Sequence, residues 1–139
     1  MANYDAYGTK LKRGGTAGTA VAQVTNISGP GMSVDTYDVT SHDSTGKWRE
    51  FVSGLKDGGE ISLDLNFDPA GATQKAAAGG LLFDMTAGTS TSYALVFSDS
   101  ATTSWTFSAF VTAFEPAAPH DGKLSATCTL KITANPTLA

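Results

Sequence analysis

Apolar and polar positions alternate along most of this chain and change period once. Glu60–Phe67 is the clearest stretch. Ile61, Leu63, Leu65 and Phe67 take one face, and Glu60, Ser62, Asp64 and Asn66 the other. This period of two marks a strand with one buried and one wet side, which suits an antiparallel sheet. Ala20–Ser28 and Ser33–Thr40 also read as strands, divided by the turn chemistry of Gly29-Pro30-Gly31. Asp68-Pro69 then offers an N-cap and a residue suited to the first helical position. Beyond it Ala78, Leu81, Leu82 and Met85 fall at i, i+3, i+4 and i+7, predicting a helix that Gly88 ends. Gly79 and Gly80 would each cost that helix about 1 kcal/mol relative to alanine, so packing must hold it. Tyr93–Ser98, Ser104–Glu115 and Lys123–Thr133 are three further strands, the last with Leu124, Ala126, Cys128, Leu130 and Ile132 inward. Ser104–Glu115 sets Trp105, Phe107, Ala109 and Val111 on one face but Phe110 and Phe114 on the other. It therefore predicts burial on both sides, against the helix or another subunit.

Three segments lack a period. Residues 1–19, rich in Gly and Thr, read as an N-terminal arm that is poorly ordered unless tied down. Residues 41–59 form a long polar, Gly-rich loop carrying Trp48, Phe51, Val52 and Leu55. Loops of that length are uncommon inside a compact domain and are usually functional. Residues 134–139 read as a short C-terminal tail. The order β, β, long loop, β, α, β, β, β predicts a single mainly β domain over 1–139. Its architecture would be two packed antiparallel sheets, a sandwich or open barrel, with one flanking α-helix.

Composition narrows the function. Charged residues make up 16% of the 139, below the roughly 25% of an average soluble domain, while there are 19 Thr and 13 Ser. A net charge of −4 argues against general nucleic-acid binding, which rests on clustered Lys and Arg. No apolar run nears the roughly 20 residues of a membrane helix, and the first residues lack the pattern of a secretory signal, so cytosolic synthesis is expected. No catalytic constellation assembles. His42 and His120 each precede an Asp, a dipeptide that does not orient the ring for a triad, and no nucleophile elbow accompanies them. Cys128, the sole cysteine, excludes an internal disulfide and reads as a small buried hydrophobe. Asp35, Asp38 and Asp43 lack calcium-loop spacing, GGTAGTA lacks the end of a phosphate loop, and Glu60 with Asp64 reads as a solvated sheet face rather than a glycosidase pair. No catalytic, cofactor or metal site is expected. The arm, the long loop and the doubly apolar strand are surfaces, and they point to assembly. The alternative is a β-sandwich binding module of carbohydrate or adhesin type, using Trp48 and Tyr37 as a sugar platform.

Several stretches resemble one family over residues 20–138. Asp38 and Thr40 end a strand, Gly54-Leu55-Lys56-Asp57-Gly58-Gly59 makes a turn, Glu60–Phe67 alternates, and Phe67-Asp68-Pro69 follows. Ala72-Thr73-Gln74-Lys75, Tyr93–Ser100 and the closing PHDGKLSATCTLKITANPTL continue the likeness. Together they resemble the major tail tube proteins of long, non-contractile-tailed phages, whose fold also serves type VI secretion tubes. Two positions depart from the pattern: Gly58 stands where a Trp is often seen, and Ala134 where a Gly is frequent. The resemblance implies a structural virion subunit forming stacked, usually hexameric rings with a continuous β-barrel lumen, through which DNA is ejected without specific binding. It also implies assembly in the bacterial host cytoplasm into the virion tail, with tape measure, tail tip and tail terminator proteins as partners and no membrane. On this reading Trp48, Arg49, Phe51, Leu55, Lys56 and Asp57 belong to an assembly loop that orders on stacking. Phe110 and Phe114 would pack on a subunit or the helix, and Glu60 or Asp64 would face the lumen.

Overall fold

The computed structural model describes residues 3–138. Its strands are β1 (Lys10–Arg13), β2 (Thr19–Ala20), β3 (Val24–Ser28), β4 (Ser33–Asp38), β5 (Phe51–Asp57), β6 (Glu60–Asn66), β7 (Thr91–Val96), β8 (Ser104–Ala117) and β9 (Ser125–Leu138), with one helix, α1 (Leu81–Ala87), before β7. Seven strands make one sheet in the order β2-β1-β7-β8-β9-β6-β3, and β4 pairs with β5 in a second. Every pairing is antiparallel. β2 and β3 lie at opposite edges of the large sheet yet are joined by residues 21–23 alone. That link reaches at most about 14 Å between the strand ends, so the sheet must curl until its edges nearly meet. The architecture is a curled sheet, close to an open barrel, with a two-stranded sheet beside it.

The alternating positions fill the interior. Leu11, Ile61, Leu63, Leu65, Leu81, Tyr93, Leu95, Cys128 and Leu130 are all fully buried. Each large apolar side chain so placed contributes about 1.5–3 kcal/mol. Burial pushes the Cys128 thiol up to about 12, so it stays a neutral thiol near pH 7 and acts as a hydrophobe.

The structure departs from the sequence expectations at five places. The expected arm, residues 1–19, contains β1 and β2, and Leu11 anchors it in the core. Four residues with a single buried leucine are too short to show a period. The expected long loop, 41–59, is half strand: β5 occupies Phe51–Asp57 and the connection from β4 is 39–50.

The expected helix start at Asp68-Pro69 is instead a turn. The Asp68 carboxylate accepts the Ala70 N–H, and its carbonyl accepts that of Gly71. Gly79 sits at φ +99, a left-handed conformation that no helix interior contains, so only Leu81–Ala87 is helical and Ala78 is exposed outside it. Gly88, at φ +67, ends the helix as expected, its N–H bonding to Asp84 O.

The expected tail, 134–139, continues β9 as far as Leu138, which pairs with Trp105. A register shift between Thr106 and Ser108 absorbs the extra residues around Ala134. Ala134 lies at φ +69, where an L side chain costs about 1 kcal/mol and a glycine costs little. Ala134→Gly is expected to raise stability by about 0.5–1 kcal/mol, visible as a higher urea midpoint at unchanged slope. A lower midpoint would place Ala134 outside the left-handed region.

The fifth departure is Phe114. A bulge between Val111 and Ala113 shifts the register of β8 on β9. One extra residue inverts every side chain beyond it. Phe114 therefore turns inward and meets Phe67 edge-on, with ring centres 5.5 Å apart. Phe110, before the bulge, stays on the outer face opposite Lys131 and is exposed. The two phenylalanines do not share a face.

Candidate assembly surface

The β4–β5 hairpin carries the sequence's most unusual surface. All six residues of β4 and six of the seven in β5 are exposed. Eight of the thirteen exposed large hydrophobic residues among the described residues fall in it or directly before it: Met32, Val34, Tyr37, Val39, Trp48, Phe51, Val52 and Leu55. Trp48 and Leu55 are about three-quarters exposed, at 76% and 77%. No second layer covers this hairpin within the subunit. A free two-stranded hairpin is marginally stable in water, and an apolar patch of this kind marks an interaction surface.

Local bonds nevertheless give the hairpin a definite shape. Val39 N–H bonds to Glu50 O, and Glu50 N–H to Thr40 Oγ1, closing the tip. Ser44 Oγ donates to Glu50 Oε2 at 2.9 Å, and a 3-10 turn at Thr45–Lys47 lifts Trp48 outward. The Thr40 hydroxyl and N–H hold the Asp38 carboxyl below its usual range. Across the strands, the Tyr37 ring lies directly over Gly54, where a side chain would collide with it.

The neck is built from glycines. Gly59, at φ +77, approaches the Gly31 carbonyl so closely that a Cβ would lie 2.2 Å from its oxygen. Gly58 lies under the Ile132 side chain, so the space a tryptophan would occupy here is filled. Asp57 accepts the Gly59 N–H and pairs with Lys131 Nζ at 2.9 Å. Lys131 foremost, then that N–H, lowers the Asp57 carboxyl. Asp57 is thus engaged within the subunit, holding the hairpin to β9, while Trp48, Arg49, Phe51, Leu55 and Lys56 point into solvent.

A second surface is the outer face of the large sheet. Glu60, Ser62 and Asp64 project from β6, beside Thr127, Thr129 and Lys131 of β9. The Thr127 hydroxyl and Asn26 Nδ2 both lie within 3.4 Å of the Asp64 carboxylate. Hydroxyls, two carboxylates, Lys131 opposite Glu60 and the exposed Phe110 ring make up this wall.

Among the described residues, one ion pair has a buried carboxylate, and no reading of the sequence found it. Arg13 from β1 binds Asp84 of α1 through Nε and Nη2, both at 2.7 Å, and Tyr93 of β7 donates its hydroxyl to the same carboxylate. No local pattern links positions 71 residues apart. Among the described residues no cluster of three metal-ligating side chains occurs, and no helix is long and apolar enough to cross a membrane. His42 and His120 are exposed.

Before assembly, amides 41–59 are expected to exchange rapidly, because strand bonds without a core open easily; after assembly they should be protected. Equal protection in both states would overturn the idea that ordering accompanies association.

The model of the family "Lambda phage tail tube protein, TTP" matches residues 3–139. No curated protein sequence matches. Among solved structures, a chain of the virion of a native gene transfer agent (GTA) particle is similar at TM-score 0.77 and 18% identity, covering 99% of each chain. A chain of the tail of an empty GTA particle with C6 symmetry is similar at 0.75 and 19%, again covering 99% of each. A chain of the sheath-tube complex of an extracellular contractile injection system is similar at 0.71 and 16%, covering 99% of this chain and 91% of that one.

Proposed function

We propose how this chain, which belongs to the Lambda phage tail tube protein family, builds its tube: six copies close a ring, and rings stack through the β4–β5 hairpins. The chain is a structural subunit of a phage-type tail tube. The observation that carries the proposed geometry is the hairpin, whose eight exposed large apolar residues have no covering layer within the subunit. Such a surface on one side of a subunit calls for a different surface on its neighbour, which is the heterologous contact that rings and tubes require. The C6 symmetry of the similar GTA tail supports a ring of six. The family match favours this reading over the sugar-binding module.

The outer sheet face lines the lumen in this reading. Six-fold repetition turns Glu60 and Asp64 into acidic rings, and the surrounding threonines leave the wall weakly charged. Like charge keeps DNA from adhering as it passes, within the reach of about 8 Å that screening leaves at physiological salt. The subunit would be made in the bacterial host cytoplasm, and tape measure, tail tip and terminator proteins would meet the tube along its bore and ends.

Asp64→Lys tests the wall. Assembly is expected to persist, because Asp64 is exposed on the sheet, and the altered tube should retain DNA that the native tube releases, in a salt-dependent manner. A tube reconstruction with both carboxylates on the outer surface would overturn the assignment. Electron microscopy of the purified chain tests the larger claim: rings or tubes support it, and a compact monomer at all concentrations overturns it.

A further inference from the structure

The curled sheet does not close, and its seam leaves a cleft of about 900 Å³. Its walls include Val24 and Ile27 of β3, Trp105 of β8, Leu138 of β9, and Phe97. Val24, Ile27, Phe97 and Trp105 are only half-buried, and Leu138 is half-exposed. β3 ends the sheet, so its far edge has no strand partner. The segment before β1 crosses the cleft with Tyr4 and Tyr7 turned outward, at 64% and 89% exposure, and leaves these walls unfilled. Asp5 and Asp99 lie on the lining against a single cation, Lys10.

The hairpin tip offers an apolar anchor with a cation on either side. Glu50 in the same connection is held by the Ser44 hydroxyl, and Asp43 lies five residues before Trp48. Trp48 stands between Lys47 and Arg49 in the sequence and is exposed. An indole framed by two cations and a half-open apolar cleft bearing two carboxylates are complementary in shape, hydrophobicity and charge. We propose that the seam cleft receives the Trp48 tip of a second copy of this chain. The inference rests on the tube reading and deepens it by naming where the hairpin lands. Tip and cleft are different surfaces of one molecule, so each copy offers both and the contact propagates instead of closing as a symmetric dimer. A tryptophan entering a desolvated pocket with arginine beside it is also the composition that dominates binding energy at protein interfaces.

The test uses the full chain. Trp48→Ala is expected to weaken association about thirtyfold. Arg49→Glu and Asp5→Lys should each weaken it about tenfold by placing like charges together. Combining Arg49→Glu with Asp5→Lys should recover most of the loss. Separately, subunits bearing Lys47→Cys, which keep Trp48, are mixed with subunits bearing Leu138→Cys and treated with a short bis-maleimide; buried Cys128 does not compete. A Lys47→Cys to Leu138→Cys cross-link between copies, formed only in assembled samples, is the expected result. Tubes that form without that cross-link, or without charge-swap recovery, would overturn the cleft as receptor while leaving the tube reading intact. Native protein that never forms rings or tubes would overturn both.

Discussion

Asp84→Ala is expected to destabilise the subunit by about 3 kcal/mol. Removing one partner of a buried, hydrogen-bonded ion pair costs about 3–5 kcal/mol because the other charge is stranded. The lower end applies here, since the Arg13 side chain is 28% exposed and water can solvate it. The loss is a large share of the roughly 5–15 kcal/mol that holds a domain of this size. Its position magnifies the effect, because Asp84 joins α1 to β1 and β7 at once. Urea unfolding measures it, and a change under 1 kcal/mol would show that the pair is dispensable.

The same carboxylate sets a pH dependence. Burial pushes Asp84 up, but the paired Arg13 and the Tyr93 hydroxyl outweigh it and hold the acid below its usual range. Arg13 is raised, chiefly by its bond to Asp84. Tyr93 is raised as well, by burial first and then by donating to that carboxylate. A depressed folded-state acid binds its proton less readily than the unfolded chain does. Its contribution is therefore complete above the unfolded value of about 3.9 and is lost as pH falls through the lower folded value. The native protein should lose stability below about pH 4 more steeply than Asp84→Ala. Parallel pH profiles would exclude Asp84 as the source.

The second large effect distinguishes two phenylalanines four positions apart. Phe114→Asp should cost about 3 kcal/mol or more, since it removes a ring packed on Phe67 and places a carboxylate against the core. Phe110→Asp should cost the isolated subunit under about 1 kcal/mol, because Phe110 already meets water. Comparing their denaturation midpoints tests the bulge directly. Equal large losses would mean that both faces of β8 are covered within the subunit, as plain alternation predicts.

Much of the fold was legible in the residues. Strands β6 and β9 follow the alternation of Ile61, Leu63 and Leu65 or Ala126, Cys128 and Leu130, because one buried face forces period two. Gly88 ends the helix where its freedom at positive φ predicts. The hairpin was legible only by elimination: Trp48, Phe51 and Leu55 stood in a segment with no period, and their exposure is what an uncovered surface looks like in sequence. That β4 is a strand was legible from its β-branched residues, but that both its faces are wet was not, because no local pattern says which element will cover it.

What the sequence by itself determined was the class: a mainly antiparallel β domain with one core and one short helix. These follow from composition and from periods that each residue reads off its near neighbours. Tertiary structure decided the rest. It decided that the sheet curls and leaves a seam, because only the pairing order puts consecutive β2 and β3 at opposite edges. It decided that Phe114 turns inward, because one bulged residue inverts a register without changing the composition. Arg13 met Asp84 only when β1 took its place beside β7. Each of these depends on which distant residues pair, a choice made by loop closure and packing over the whole chain, and local alternation holds no record of it.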